Sequence, residues 1–242
     1  MDDFSISLAH VEEAMAAAAR RAGRDPKEIE LIAVSKTQPV AAIQAALRAG
    51  VLRFGENKVQ EARGKIEELG RGVWHLIGHL QSNKAKEAVR LFDSIDSVDR
   101  ADLAEEINQR AEAWGKTQNV LLQVNVAGES TKFGCASDLA RALAEKINGL
   151  PRLALHGLMT IAPYSPEPEK SRPHFAALRE LRDQIERDTG LHLPVLSMGM
   201  SGDFAVAIEE GATQVRVGTA LFGERLTRRQ RQPEDPSFTE ST

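Results

Sequence analysis

Lys36 closes the run Ala33-Val34-Ser35-Lys36-Thr37, where a short apolar segment gives way to polar residues. An amine at such an exit is partly stripped of water, which disfavours its charged form and frees the nitrogen to add to an aldehyde. The same lysine could equally do no more than open a solvated loop. Asn57 ends Phe54-Gly55-Glu56-Asn57; its amide can both donate to and accept from a planar polar ligand, or cap a helix that starts near Val59. Two later stretches, Leu196 to Asp203 (LSMGMSGD) and Val215 to Gly223 (VRVGTALFG), join glycine to a hydroxyl just ahead of a helical segment. Glycine lets backbone approach a ligand closely, and Ser201 with the N–H groups of such turns makes a socket for an anion. Either turn alone would serve as a helix cap; together they suit a phosphate. Arg216 lies inside an otherwise apolar run, where a permanent cation needs a ligand heteroatom or a carboxylate as partner.

Other reactive types carry less. His75 and His79 stand four apart, but Gly78 and a strand exit separate them and the helical HExxH spacing is not met, so no metal pair is expected. His156 and Cys135 are isolated in sequence and read as structural, Cys135 as a small packing residue. Met198 and Met200 read as packing or pocket-wall residues. The chain lacks GxxxxGK[ST], GxGxxG after a strand and GxSxG, which removes the usual signatures of P-loop, dinucleotide and serine-hydrolase chemistry.

The elements that must position these residues follow from periodicity. An Ala-rich amphipathic helix is expected from Leu8 to Arg21, closed by Gly23. Strands are predicted near Glu30–Ser35, Leu52–Phe54, Val73–Ile77, Ser94–Val98, Val120–Val124, Leu153–Met159, Val195–Met198 and Val215–Val217. Helical segments fall between them: Pro39 to Gly50, Val59–Leu69, Asn83–Leu91, Arg100–Trp114, Leu139–Ile147, Pro173–Asp188 and Phe204–Glu209. Strict alternation implies parallel strands with helical crossovers, and eight repeats in about 250 residues match a closed (β/α)8 TIM barrel with one extra N-terminal helix. Reactive residues of such a barrel come from the strands' carboxyl ends, and phosphate often binds after strands seven and eight.

Composition agrees with one domain. The chain is 42% apolar and 27% charged, with no Pro/Gly/Ser-rich linker in its middle, so residues 1–225 are expected to share one core. Residues 226–242 lose periodicity and are expected to be disordered; Arg228, Arg229 and Arg231 are followed at once by Glu234 and Asp235, which favours a solvated tail. A net charge of −4 leaves no broad basic field for nucleic acid. A single cysteine suits a reducing compartment, and neither a leader nor an apolar run of membrane length is visible, so a cytoplasmic protein without membrane contact is expected.

An imine-forming lysine, a phosphate cradle and a buried arginine suit pyridoxal 5′-phosphate (PLP), whose aldehyde, phosphate and ring nitrogen need three hosts. At this point the chain resembles the pyridoxal phosphate homeostasis protein family, which shares its barrel with the N-terminal domain of alanine racemase. The resemblance runs from about Leu31 to Arg225. It is carried by Ala33-Val34-Ser35-Lys36, by Phe54-Gly55-Glu56-Asn57 with Gln60-Glu61, and by His75 to Lys84. It continues in Asn125 to Gly134 (NVAGESTKFG), Gly157-Leu158-Met159, Ser197 to Asp203 and Val215 to Gly223. The resemblance implies that Lys36 holds the cofactor as a Schiff base, that Asn57 lies along its ring and that Arg216 faces the ring nitrogen. It further implies that Ser201, Gly202, Gly218 and Thr219 hold the phosphate. Lys58 departs from the family, which often has an aromatic there; a changed pocket rim is the expectation.

Two functions compete. One is a PLP-binding homeostasis protein that buffers the cofactor or delivers it to apo-enzymes, with no catalytic residues. The other is an amino-acid racemase or another PLP-dependent enzyme. Alanine racemase resembles this chain over the barrel alone and uses a second, β-rich domain to supply an opposing tyrosine across a dimer. Only 17 residues follow Arg225 here, and the sole tyrosine, Tyr164, follows the sixth strand. The expectation is therefore a monomeric binding protein lacking the second base.

Overall fold

Runs such as Ile32-Ala33-Val34 and Val120-Leu121-Leu122 are apolar on successive residues, the pattern of strands covered on both faces. In the computed structural model, which describes residues 3–223, they form a closed barrel of eight parallel strands. These are β1 (Glu30–Val34), β2 (Arg53–Glu56), β3 (Val73–Leu76), β4 (Ser94–Val98), β5 (Gln118–Gln123), β6 (Leu153–Met159), β7 (Val195–Ser197) and β8 (Gln214–Val217). Each pairs with the next, and β8 closes on β1 through Leu31↔Val215, Ile32↔Arg216 and Ala33↔Val217. The helices are α1 (Asp3–Arg21), α2 (Val40–Arg48), α3 (Val59–Leu69), α4 (Ala85–Leu91), α5 (Ala101–Ala113), α6 (Ala140–Asn148), α7 (Arg172–Thr189), α8 (Phe204–Glu209) and α9 (Thr219–Phe222). The expected tail lies outside the described residues.

Element order and type follow the sequence pattern, and the boundary that moved most informatively is that of β2. The expected strand was Leu52–Phe54. The ladder to β3 instead continues through Gly55↔His75 and Glu56↔Leu76, and Glu56 is fully buried. A carboxylate tolerates that burial because Lys65 and Ser35 reach it.

The main core lies between strands and helices, where Phe54, Ile43, Leu103, Ile107, Leu122, Ile147 and Phe175 are fully buried. Helix α1 adds Leu8, Val11, Met15, Ala18 and Ala19 to it and packs against α8 and α9. Phe4 meets Phe222 there with ring centroids 5.2 Å apart, and the Arg24 guanidinium donates to the carbonyls of Ile208 (2.9 Å) and Ala212 (2.8 Å). The extra helix thus braces the seam next to β8. The barrel's own interior is more polar: the floor holds the Arg53–Glu30 pair (2.7 Å) and the Gln214 amide on Glu30 (2.9 Å), with His75, Asp96 and Arg216 above.

Strand ends meet closely at the open mouth. A Cβ added at Gly78, just past β3, would lie 2.3 Å from the Asn57 carbonyl oxygen and 2.7 Å from its Cα. Gly78→Ala should therefore push the Asn57 backbone away and cost roughly 1–3 kcal/mol, the range for overpacking. Urea denaturation checks it: an unchanged midpoint would show that this close approach is not required.

Candidate functional site

The carboxyl ends of the strands surround a cavity of about 250 Å³. All seven residues singled out as ligands from the sequence line it: Lys36, Asn57, Ser201, Gly202, Arg216, Gly218 and Thr219. Val34, Ile77 and Ile161 supply apolar wall, and Met200 lines the cavity while Met198 is fully buried beside it.

Lys36 stands in a tight turn after β1. The Gln38 N–H donates to the Ser35 carbonyl at 3.0 Å, closing four residues with Lys36 at the second position. Thr37, at the third, has φ +65°, a left-handed conformation that costs a β-branched residue steric strain. Its N–H donates to Glu61 Oε1. The Lys65 ammonium, 7% exposed, donates to the Ser35 carbonyl (2.7 Å), Glu56 Oε1 (2.7 Å) and Glu61 Oε1 (2.8 Å), and the Ser35 hydroxyl donates to Glu56 Oε1 at 2.6 Å. Burial works to raise the Glu61 carboxyl, but the hydrogen bonds from Lys65 and the Thr37 N–H outweigh it and hold the group below the usual range. For Glu56 burial prevails over its bonds from Lys65 and Ser35, and the carboxyl sits above that range.

Asn57 does not cap α3. The capping position falls on Lys58, which makes no side-chain cap bond, so the Asn57 amide stays at the cavity wall. The Lys58 side chain is exposed and is not part of the cavity wall.

The two glycine-hydroxyl turns are joined. Ser201 Oγ accepts from the N–H groups of Gly218 and Ala220, each at 3.3 Å. Gly199 turns the chain at φ +90°, and an added Cβ there would lie 2.6 Å from that of Ala207. Asp203 pins the turn by accepting from the Met200 N–H (2.7 Å) and the Ser171 hydroxyl (3.0 Å). A Cβ added at Gly218 would lie 3.3 Å from the Val34 Cβ, which sets this turn directly against the end of the strand that leads into Lys36. At Gly202 an added Cβ meets nothing, so the backbone there faces open space. N–H groups resting on long bonds to a neutral hydroxyl, beside open glycine backbone, fit an anionic oxygen, which is a stronger acceptor.

Arg216 is buried in the barrel interior. Within the protein its partners are a hydroxyl and a carbonyl where the sequence suggested a carboxylate, and it also lines the cavity. Nη1 donates to Ser197 Oγ on β7 at 2.8 Å and Nη2 to the carbonyl of Thr160, just past β6, at 2.7 Å, bonds that satisfy the cation without burying a second charge. Burial pushes the guanidinium down to about 10, opposed by Asp96 and Asp203, so it remains a cation at neutral pH. His75 and His79 serve different acids: His75 Nδ1 lies 3.0 Å from Asp96, whereas His79 stacks on Phe133 at 3.9 Å and lies 3.6 Å from Asp99. Among the described residues no three metal-ligating side chains cluster. Burial pushes the Cys135 thiol up to about 12, which makes it inert as a nucleophile.

Four residues near the site were not singled out from the sequence as functional. Glu56, Glu61 and Lys65 form the cluster behind Lys36; the Glu61–Lys65 spacing of four on one helix was the single readable sign of it. Tyr164, noted as following the sixth strand, lines the cavity mouth with 88% of its surface exposed.

Comparison with known proteins agrees with this architecture. A sequence model of the family described as alanine racemase, N-terminal domain, matches residues 6–226. The pyridoxal phosphate homeostasis protein of Aquifex aeolicus is 47% identical over 220 residues, spanning 90% of this chain and 96% of that protein. That of Pseudomonas aeruginosa is 47% identical over 231 residues, spanning 93% and 97%. Among solved structures, PipY of Synechococcus elongatus PCC7942 with PLP bound superposes with a TM-score of 0.81 at 39% identity, covering 91% of this chain and all of that one. Alanine racemase of Clostridium difficile 630 shares the fold at a TM-score of 0.75 and 14% identity, with 58% of its chain covered.

The His75–Asp96 pair makes a pH prediction. Burial opposes the imidazolium, but the Asp96 charge and hydrogen bond outweigh it and raise His75 above its ordinary value; Glu30 adds to this and Arg53 opposes it. A raised folded-state value means stabilisation that is full below the unfolded value of about 6.5 and is lost as pH rises through the folded one. The melting-temperature gap between wild type and His75→Gln should thus be wider near about pH 6 than near about pH 9; a gap independent of pH would contradict it.

Proposed function

The chain belongs to the pyridoxal phosphate homeostasis protein family, and from that membership we propose that it binds PLP in the barrel-mouth cavity and holds it without defined turnover. The observation that carries this reading is the convergence of a strand-end lysine, a buried arginine and two fused glycine-hydroxyl turns on one cavity. When bound, the cofactor supplies an aldehyde that condenses with amines. Lys36 would provide that amine at the cavity wall. Asn57, at the cavity wall, would lie along the ring. Ser201 and Thr219 hydroxyls, with backbone N–H groups at Gly202 and Gly218, hold the phosphate.

Arg216 is argued to face the ring nitrogen. A guanidinium can only donate, so it leaves that nitrogen unprotonated and the ring a weak electron sink. Carbanion chemistry is then disfavoured. An exchangeable link of this kind suits a protein that buffers PLP or passes it to apo-enzymes. No helix among the described residues is long and apolar enough to cross a membrane.

The racemase reading has one observation in its favour, the tyrosine at the cavity mouth. Catalysis needs a base held in place against the reacting carbon, and a side chain 88% exposed at a loop is not held that way. Two measurements test the proposal. Hydrogen bonds to a charged phosphate contribute ~1.5–3 kcal/mol, so Ser201→Ala or Thr219→Ala should weaken PLP binding roughly 10- to 150-fold in a titration followed by visible absorption. Unchanged affinity in the double variant would remove the cradle. The purified protein should also show no racemase, transaminase or decarboxylase activity above a Lys36→Ala control. Lys36-dependent turnover near ~1–1000 s⁻¹ would overturn the proposal, and loss of that turnover in Tyr164→Phe would identify the second base.

A further inference from the structure

We propose that Glu61 and Lys65 of α3 are positioning residues that hold the Lys36 turn in the conformation needed for imine formation, an inference that rests on the PLP-binding function above. The two peptide groups flanking Lys36 are each tied to this helix. On the amino side, the Ser35 carbonyl accepts from both the Gln38 N–H (3.0 Å) and the Lys65 ammonium (2.7 Å). On the carboxyl side, the Thr37 N–H is taken by Glu61 Oε1. Lys65 also bonds that same Glu61 oxygen at 2.8 Å, so both ties run through one ion pair.

Three features separate this cluster from ordinary surface ion pairing. Lys65 is buried and uses all three ammonium donors, on Ser35, Glu56 and Glu61. The segment it grips contains a β-branched residue at φ +65°, a conformation that persists only where surrounding contacts impose it. Glu56, the third member, comes from β2 one residue before Asn57, so the cluster ties β1, β2 and α3 together beneath two cavity residues. An amine that must meet an aldehyde carbon needs its backbone fixed, because a small displacement of a reacting group carries a large cost. The lysine's flexible side chain cannot supply that; the clamp on its two neighbours does.

The test compares Glu61→Ala and Glu61→Gln, because Lys65→Met would also strip buried Glu56 of its cation and perturb folding. Each protein is titrated with PLP and, separately, with pyridoxamine 5′-phosphate, which has the same ring and phosphate but no aldehyde to link to lysine. Glu61→Ala should weaken PLP binding by about tenfold or more and lower the imine absorbance, with pyridoxamine 5′-phosphate affinity unchanged. Glu61→Gln, which keeps an acceptor for the Thr37 N–H, should recover most of the loss. Equal loss for both ligands would mean a merely structural role and overturn the inference, as would wild-type PLP binding in Glu61→Ala. Wild type failing to form an imine at all would instead defeat the function on which it rests.

Discussion

The pairing of β8 with β1 is the constraint on which the site depends. Lys36 and Thr219 lie at opposite ends of the chain, and the register Ile32↔Arg216 and Ala33↔Val217 brings their strands side by side. Because side chains alternate across a strand, a slip of one residue in this seam would turn Arg216 out of the barrel interior and move the Gly218 turn off Val34. Helix α1 and the turn that follows it reinforce that seam from outside, through Phe4 on Phe222 and Arg24 on the carbonyls of Ile208 and Ala212. What the first and last strands would do separately is ordinary; closure makes them one site.

The electrostatics of the cavity follow from the same closure. A fully buried cation in a barrel is costly unless its hydrogen bonds are met, and Arg216 has them from Ser197 and Thr160 while Asp96 and Asp203 act through space. The interior is therefore built around a fixed donor. On the facing side, Lys36 sits on a strained turn clamped by the Glu56–Lys65–Glu61 cluster. One charge is immovable and the other group is a flexible side chain on an immobilised backbone, an arrangement suited to gripping a ligand at one point while linking it reversibly at another.

Much of this was legible in the sequence. Strand-then-helix alternation exposed the barrel, and the barrel located the strand ends, so Lys36, Asn57, Arg216 and the two glycine turns could be picked out before any coordinates. The resemblance then placed the same residues around one ligand. The cluster behind Lys36 was not legible, for a physical reason: Glu56 follows an apolar run and looks like a loop residue, and Lys65 looks like one more solvated lysine on an amphipathic helix. Their burial is a property of how α3 crosses β1 and β2, which no local pattern encodes. Tyr164 was missed as a wall residue because the segment around it, PYSPEPEK, has no period from which a direction can be drawn.

The account turns on Lys36 being the residue that links the cofactor. Reducing the PLP-loaded protein with borohydride fixes the imine as a stable amine, and peptide mapping then locates it. The predicted result is a single adduct on Lys36. An adduct on Lys84 or Lys132 with Lys36 unmodified would contradict the account.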